Sequence, residues 1–168
     1  MMPEAITALP DDTLLLDTVQ AALARLDATD SRVTPDEFWT YVEPPGHRHR
    51  VQGWKLHVSA TPLSAPLVLA RAAAVLIGRG VPFKFAGTLR RAAELVSRHV
   101  DRGGGGKVVT AYPDGDDEQL RDLAAELHRV TAGLPGPGIL SDRPYRPGSV
   151  VHYRFGAFRG LPVLGDDG

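Results

Sequence analysis

The sequence contains no cysteine, and this absence removes several kinds of chemistry at once. Disulfide bonds, thiolate nucleophiles and cysteine-ligated metal sites are all excluded. The chain also lacks an apolar run of membrane-spanning length. Its N-terminus shows no basic segment followed by an apolar stretch, which is the pattern of a secretion signal. We therefore expect a cytoplasmic protein that makes no use of thiol chemistry.

The chain also has little net charge. It carries 19 basic and 20 acidic residues, so no general attraction to nucleic acid or to an acidic membrane surface is expected. Any anion site must come from local clustering of cations. The length of 168 residues and the 43% hydrophobic content are ordinary for one globular domain with a sizeable core.

Hydrophobic periodicity predicts helices alternating with strands. Helices are predicted at 11–26, 64–78, 88–100 and 116–131. Strands are predicted at 53–60, 81–86, 107–112 and 149–155. A further short helix is predicted to begin with Thr34 as its cap and Pro35 in its first turn. This alternation, without an internal repeat, indicates a mixed α/β or α+β domain.

Two motifs resemble ligand sites without meeting their requirements. His47 and His49 lie two residues apart in the loop PPGHRHR without further ligands nearby, so a metal site is not predicted there. A glycine run at 103–106 precedes Lys107, but Asp101 stands where a Walker loop needs its first glycine. A strand also follows where a helix should begin. We therefore predict neither a metal site nor a Walker motif.

Basic residues recur on the predicted strands. In GWKLHVSA, the alternation of side chains places Lys55 and His57 on the same face. Lys84 and Arg154 are each flanked by aromatic residues on later strands, and Lys107 opens another strand. A solvated sheet face would explain this pattern without a ligand. A cluster of cations facing an anion, for which phosphate is the natural candidate, would explain it as well.

Five segments together resemble a known family of enzymes. They are GWKLHVSA, FKFA, GKVVTAYP, ILSDRPYRPG and VVHYRFGAF, within residues 38–158. In combination they closely resemble the N-terminal lyase domain of class III and class IV lanthipeptide synthetases, and more distantly the phosphothreonine lyases that bacterial pathogens inject into host cells. The resemblance implies an α+β fold with a mixed, largely antiparallel sheet and helices packed against it.

The function that the resemblance implies is β-elimination of phosphate from phosphoserine or phosphothreonine in a precursor peptide. The products would be dehydroalanine or dehydrobutyrine and inorganic phosphate, with no metal or organic cofactor. One lyase domain is implied over 1–168, with an N-terminal helix region at 1–30, a core at 38–158 and a tail at 159–168. A kinase and a cyclase follow this domain in the synthetases and are not found in this sequence, so we expect both to act from elsewhere.

The resemblance also implies roles for individual residues. Lys84 lies at the position of the general base that removes the α-proton, and His57 lies at that of the general acid. Lys55 and Arg154 lie at phosphate-binding positions. A bound phosphate beside His57 would keep its imidazole charged, as an acid requires.

Lys84 acts as a base only when it is neutral, so its pKa must lie well below the ordinary lysine value. We expect the neighbouring cations Lys55 and Arg154, together with the flanking Phe83 and Phe85, to lower that pKa. A bound phosphate would act in the opposite direction.

Four further residues are assigned from the same resemblance. Arg102 and Arg143 are expected to bind phosphate, and Tyr112 and Tyr145 to contact the substrate. For Arg102 the alternative is a solvated loop arginine. For Arg143 and Tyr145 the alternative is a role in holding their loop.

Two other functions remain open at this point. A non-catalytic phosphopeptide-binding module could use the same cations, but it would not need both Lys84 and His57. A phosphatase would need a nucleophile or a metal cluster, and the sequence shows neither a cysteine nor an evident metal motif. The elimination reaction is therefore the favoured prediction.

Overall fold

The computed structural model describes residues 12–96 and 105–158, and these residues form four helices and seven strands. The helices are α1 (Leu14–Arg25), α2 (Ala65–Gly78), α3 (Leu89–Leu95) and α4 (Asp117–Thr131). The strands are β1 (Arg32–Pro35), β2 (Trp39–Glu43), β3 (Gln52–Ser59), β4 (Phe83–Ala86), β5 (Lys107–Ala111), β6 (Arg143–Pro144) and β7 (Val151–Ala157). Within the described ranges, none of the helices has the length and apolar character needed to cross a membrane.

The seven strands form one sheet in the order β1-β2-β4-β5-β3-β7-β6. Every neighbouring pair is antiparallel. The four main predicted helices and the four predicted strands are all present within a few residues of their predicted bounds, although the predicted end of the helix at 88–100 lies outside the described residues. The expected α+β architecture, with a largely antiparallel sheet, is confirmed.

The helices bury one face of the sheet. Helix α2 packs against β3 and β5, α4 packs against β7, and α1 packs on α2. The buried core that results draws its side chains from both layers, including Leu56, Val58, Phe83, Phe85, Val109 and Val151 from the sheet and Val19, Leu69, Leu76 and Leu127 from the helices. Burying one such aliphatic side chain contributes about 1.5–3 kcal/mol.

Among the residues that the structure describes, no helix covers the centre of the opposite face of the sheet, and we call this face the open face. Because Leu56 and Val58 point into the core, the alternate residues Lys55, His57 and Ser59 point the other way. The same alternation turns Lys84 to the open face, since Phe83 and Phe85 belong to the core. The apolar side of each strand therefore determines where its basic residues point.

The short helix predicted at Thr34 is wrong, because Thr34 and Pro35 lie in strand β1. A proline is tolerated there because β1 is an edge strand, where a missing N–H costs little. The next residue, Asp36, closes the turn into β2. Its Oδ1 accepts the backbone N–H groups of Phe38 and Trp39, at 2.7 Å each.

A loop between α4 and β6, residues 133–142, lies across one end of the open face. Its Gly136 is so close to β3 that an added Cβ would lie 2.7 Å from the Ser59 Oγ atom. The loop is also held by Ser64, whose hydroxyl donates to the Pro135 carbonyl at 2.7 Å, and by the backbone N–H of Ile139, which donates to His152 Nε2 at 3.3 Å. The loop is therefore attached to the sheet at several points.

Replacement of Gly136 by alanine tests this close contact. We expect Gly136→Ala to lower the free energy of unfolding by about 1–3 kcal/mol, because the new methyl group forces the loop and β3 apart. The matched control is Gly138→Ala in the same loop, where an added Cβ meets nothing within 4 Å. Urea unfolding of both variants measures the difference, and equal stabilities would contradict the contact.

Candidate active site

A row of side chains crosses the open face at right angles to the strands. In the register of the sheet, the residues directly opposite one another are Tyr41, Lys84, Thr110, His57 and His152. Residues opposite one another in antiparallel strands point to the same side. Lys84 and His57 are two strands apart, so their Cα atoms are separated by about 10 Å at an interstrand spacing of about 4.8 Å. Thr110 forms the floor between them.

The chain has only three lysines, Lys55, Lys84 and Lys107, and the structure brings all three together here. They lie on three neighbouring strands, β3, β4 and β5. Lys55 Nζ donates to the Ala157 carbonyl at 2.9 Å, and Lys107 Nζ donates to the Ser141 hydroxyl at 3.2 Å. The charges of Lys55 and Lys107 both act on Lys84 and on His57. Positive charge is thus concentrated around the Lys84–His57 row.

Lys84 is enclosed by aromatic side chains of β2. Its Nζ atom lies 4.5 Å from the ring centre of Trp39 and 5.9 Å from that of Tyr41. Burial, followed by the charge of Lys55, lowers the pKa of Lys84 to about 8. A measurable fraction of neutral amine is therefore available near neutral pH, as a general base requires.

The expected cause of this shift is only partly right. Burial and Lys55 lower the pKa of Lys84, as anticipated. Phe83 and Phe85, however, face the helices, so the aromatic rings around the amine are those of β2. Lys107, rather than Arg154, is the second cation that lowers this pKa.

Asp36 is the acidic residue that acts on Lys84. Its Oδ2 accepts the Tyr41 hydroxyl at 2.8 Å, which fixes the ring beside the lysine. The negative charge of Asp36 raises the pKa of Lys84 and so opposes the effect of the two other lysines. Asp36 therefore both orients the aromatic wall and limits how far the pKa of the amine falls.

His57 is buried and bonded to an aspartate from the far end of the chain. Its Nδ1 atom contacts Asp142 Oδ2, and the Asp142 side chain is fully buried. Burial lowers the pKa of His57 to about 4, although the hydrogen bond to Asp142 acts in the opposite direction. The ligand-free imidazole is therefore neutral at neutral pH, with its Nδ1–H donated to Asp142. That contact leaves the second ring nitrogen, Nε2, outside the pair.

Asp142 is held in its ionised form by several neighbours. Burial alone would raise the pKa of Asp142, but the hydrogen bond with His57 and the bond from Ser141 lower it below its ordinary value. Ser141 Oγ donates to Asp142 Oδ1 at 2.8 Å, and Lys107 Nζ lies 3.6 Å from the same oxygen. Lys107 therefore links the aspartate to the basic cluster.

His152, directly opposite His57 in the β3–β7 pair, is buried, with 2% of its surface exposed. Its Nδ1–H donates to the Val150 carbonyl at 3.0 Å, and its Nε2 accepts from the Ile139 N–H at 3.3 Å. Both ring nitrogens are occupied, so His152 anchors the loop that carries Asp142.

Two further predicted residues, Arg154 and Tyr112, also lie on the open face. Arg154 is directly opposite Lys55 in the β3–β7 pair and is exposed to solvent. Tyr112 directly follows β5, and its side chain points to the same side of the sheet as that of Thr110. It is buried, with its ring centre 5.1 Å from that of Phe158. Arg154 is thus available to a ligand at the edge of the basic cluster, whereas Tyr112 forms part of its wall.

Of the remaining predicted site residues, Arg143 and Tyr145 are not brought to this cluster. Register places Arg143 opposite Tyr153, whose ring lies near Trp54 on the helix-covered side. Tyr145 lies on that side as well, with its ring centre 5.1 Å from that of His128 in α4. Arg102 lies outside the described residues. The geometry of the described residues therefore gives Arg143 and Tyr145 no contact with the row.

The individual roles of two residues of this site were missed from the sequence. Asp142 is 85 residues from His57, so their pairing leaves no local signal. Lys107 is one of the predicted strand cations, but no motif assigns it a role of its own. The signal that could have found Lys107 is composition, because three lysines in 168 residues, each on a predicted strand, are an unusual use of that residue.

The chain is similar to known proteins both in sequence and in fold. The sequence matches the family described as "RamC, N-terminal domain" over residues 19–168. A Streptomyces coelicolor protein named "Probable SapB synthase" is 37% identical over 130 residues, which cover 77% of this chain and 14% of that protein. The chain therefore spans only a small part of that relative.

Solved structures of two bacterial effectors share the fold. OspF from Shigella flexneri, a phosphothreonine lyase, gives a TM-score of 0.57 at 20% identity and covers 74% of this chain and 69% of its own. SpvC from Salmonella, also a phosphothreonine lyase, gives a TM-score of 0.57 at 12% identity and covers 85% of this chain and 89% of its own. The predicted likeness to the effector lyases in fold is confirmed.

The pKa of Lys84 can be measured directly because the chain has so few lysines. In protein labelled with ¹³C at lysine Cε, we expect three signals, one of which titrates near pH 8 and disappears in Lys84→Met. Lys55→Met should raise this midpoint, because removal of a neighbouring positive charge favours the protonated amine. Arg79→Met, which removes a cation on the helical side, should leave it unchanged. Titration of all three signals near the ordinary value of about 10.4 would contradict the burial argument.

Proposed function

The chain belongs to the RamC N-terminal domain family, and from this membership we propose that it eliminates phosphate from phosphoserine and phosphothreonine residues of a precursor peptide. The products are dehydroalanine or dehydrobutyrine, formed during lanthipeptide biosynthesis. The observation that carries the proposal is a buried lysine with a pKa near 8 and a buried His–Asp pair on one sheet face, with two further lysines beside them. The phosphothreonine lyase activity of two proteins with this fold supports it.

Lys84 is the general base in this proposal. Its neutral amine takes the α-proton of the phosphorylated residue, and the electrons of that C–H bond form the double bond between Cα and Cβ. The α-proton of a peptide is only weakly acidic, so the base must be both positioned and deprotonated. Trp39 and Tyr41 confine the amine, and burial with the charge of Lys55 keeps part of it neutral. General base catalysis of this kind contributes roughly 10²–10⁴-fold to a rate.

The phosphate is bound by the cations that surround the row. Lys55 and Lys107 act electrostatically on both Lys84 and His57, so a phosphate group between these residues lies close to both charges. Arg154, opposite Lys55, adds a third cation from β7. As the Cβ–O bond breaks, its electron pair stays on the bridging oxygen, and fixed positive charge stabilises that oxygen. Stabilisation of developing charge by one such group is commonly worth about 3–4 kcal/mol.

His57 completes the elimination as the general acid. Its Nε2 proton passes to the bridging oxygen, so that hydrogen phosphate leaves and the imidazole becomes neutral. The free enzyme holds His57 neutral, because burial lowers its pKa to about 4. A phosphate dianion beside the ring raises this pKa, as does the carboxylate of Asp142, so His57 takes up a proton from solvent when the substrate binds. Asp142 acts as a positioning residue because it holds Nδ1 and thereby directs Nε2 away from itself.

The proposed elimination depends on one enzyme that acts before it and provides the substrate for another that acts after it. A kinase must place the phosphate on serine or threonine beforehand, and we propose that it is a separate chain or a further domain. The electrophilic dehydro residue is then available to a cyclase that adds a thiol. The elimination itself needs no metal, no organic cofactor, no nucleic acid and no membrane, and we place it in the cytoplasm.

Incubation of a phosphothreonine peptide with the protein, followed by mass spectrometry, tests this function. The wild type should convert the peptide to the dehydrobutyrine form with loss of phosphoric acid. Lys84→Met and His57→Gln should each slow that conversion by about a hundred-fold or more, because each removes one of the two proton transfers. The control variant Arg79→Met, which loses only an exposed ion pair on the helical side, should match the wild type.

Two outcomes would overturn the proposal. Return of the threonine hydroxyl would show hydrolysis rather than elimination. Tight binding of the peptide without any chemical change would show a non-catalytic phosphopeptide-binding module that uses the same cations. Far-ultraviolet circular dichroism of each variant distinguishes a lost proton transfer from a lost fold.

A further inference from the structure

A second polar cluster lies at the end of β2, apart from the basic residues of the open face. It consists of Glu43, the last residue of β2, and of His47 and His49 in the loop that leads to β3. The charged groups that act on His47 are His49, Glu43, Asp114 and Arg50, and none of the three lysines is among them. The cluster is thus electrostatically separate from the Lys84–His57 row.

The three side chains converge as metal ligands do. One donor atom from each residue lies within 4.8 Å of the others, and the rings of His47 and His49 are 4.9 Å apart between centres. His49 Nε2 lies 3.2 Å from Glu43 Oε2. Two ligands on one tetrahedral zinc ion, with bonds of about 2.0–2.1 Å, are separated by about 3.3 Å. Glu43 and His49 therefore already have the spacing of a zinc ligand pair.

Two buried polar atoms of the cluster have no hydrogen-bond partner. Among the described residues, three buried side-chain nitrogen or oxygen atoms lack one, and two of these are Glu43 Oε1 and His49 Nδ1. Glu43 is itself only 4% exposed. A buried polar atom without a partner is costly, and a carboxylate is especially so. The contact between Glu43 Oε2 and His49 Nε2 leaves the second carboxylate oxygen of Glu43 without a partner, and a metal ion bound by this carboxylate would neutralise it.

Space for an ion and its water lies beside these atoms. A pocket of ≈ 330 Å³ is lined by Glu43, His47, His49 and the connecting residues, with Asp30 and Arg32 on its other wall. Imidazole nitrogens with one carboxylate form a donor set that suits zinc, which takes a water as its fourth ligand. The pocket beside these three residues is large enough to hold that water.

We propose that Glu43, His47 and His49 bind a single zinc ion, with a water molecule in the fourth position. The ion neutralises the buried carboxylate and attaches the loop at 44–51 to the end of β2. That loop leads directly into β3, the strand that carries Lys55 and His57. The site is structural: it fixes the entry of β3 into the sheet and takes no part in the elimination.

The sequence alone did not indicate this site, because only the two histidines were considered. Glu43 precedes His47 by four residues and lies at the end of a strand. The sequence does not show to which side of the sheet the Glu43 side chain points. The turn at Pro44, Pro45 and Gly46 folds the histidines back towards it, and Gly46 has the positive φ of +72° that such a turn uses. The ligands are therefore brought together by the loop rather than by regular spacing.

Zinc titration of chelator-treated protein tests the proposal. By isothermal calorimetry we expect one zinc ion per chain, and His47→Ala and Glu43→Gln should each weaken its binding by at least about ten-fold. His128→Gln, which alters a histidine on α4, should bind zinc as the wild type does. Cobalt substitution should give the intense visible absorption of a four-coordinate ion in the wild type and not in His47→Ala.

The same experiment has outcomes that would overturn the site. Absence of binding at micromolar zinc, or equal binding by the wild type and both cluster variants, would exclude these three residues as the ligands. Loss of folding is a lesser concern for His47→Ala, because His47 is only half-buried. Zinc should raise the melting temperature of the wild type but not that of His47→Ala, and an equal rise in both would also contradict the proposal.

Discussion

Three ammonium groups brought to one face of a sheet repel one another, and the other features of the site respond to that repulsion. Burial, together with the charges of Lys55 and Lys107, lowers the pKa of Lys84 to about 8, so that it loses its proton more easily. The buried carboxylate of Asp142 lies against both Lys107 and His57 and offsets part of the charge. A phosphate group would offset the remainder. The positive charge that adds to burial in lowering the pKa of Lys84 is therefore the same charge that favours a doubly negative substrate.

The position of each amine depends on apolar residues that take no part in the chemistry. In β4, Phe83 and Phe85 both lie in the core, and this leaves Lys84 no direction but the open face. A slip of one residue in the pairing of β4 would bury the lysine and expose both rings. In β3, Leu56 and Val58 orient Lys55 and His57 in the same way. The helices thus define the site by covering the face that the site does not use.

Strand alternation explains why part of this site could be predicted from the sequence. The shared face of Lys55 and His57 follows from a period of two, and the orientation of Lys84 follows from its aromatic neighbours. The order of the strands did not follow from the sequence, so neither the position of Lys107 beside Asp142 nor that of Trp39 beside Lys84 could be derived. Sheet order is set by contacts between distant segments, which no local pattern records.

The differences between the expected and the observed structure have equally specific physical causes. Thr34 and Pro35 carry the signature of a helix start, but the aromatic, β-branched residues that follow from Trp39 form a strand, and Asp36 closes a turn instead. The resemblance implies that Arg143 binds phosphate and Tyr145 contacts the substrate, and these roles stay predictions. In the sheet, odd-numbered residues of that segment point to the helical side and Asp142 to the open face. In a strand of two residues, the side of the sheet to which each side chain points depends on how the strand pairs with its neighbour. This pairing cannot be read from the sequence.

The central claim is that the bond between carbon and oxygen breaks, rather than the bond between phosphorus and oxygen. Reaction of a phosphothreonine peptide in water enriched in ¹⁸O, with mass spectrometry of the released phosphate, tests it most directly. Elimination through Lys84 and His57 predicts phosphate that contains no oxygen from the solvent, because all four of its oxygens come from the substrate. Incorporation of one ¹⁸O atom into the phosphate would show attack of water at phosphorus and would contradict the account.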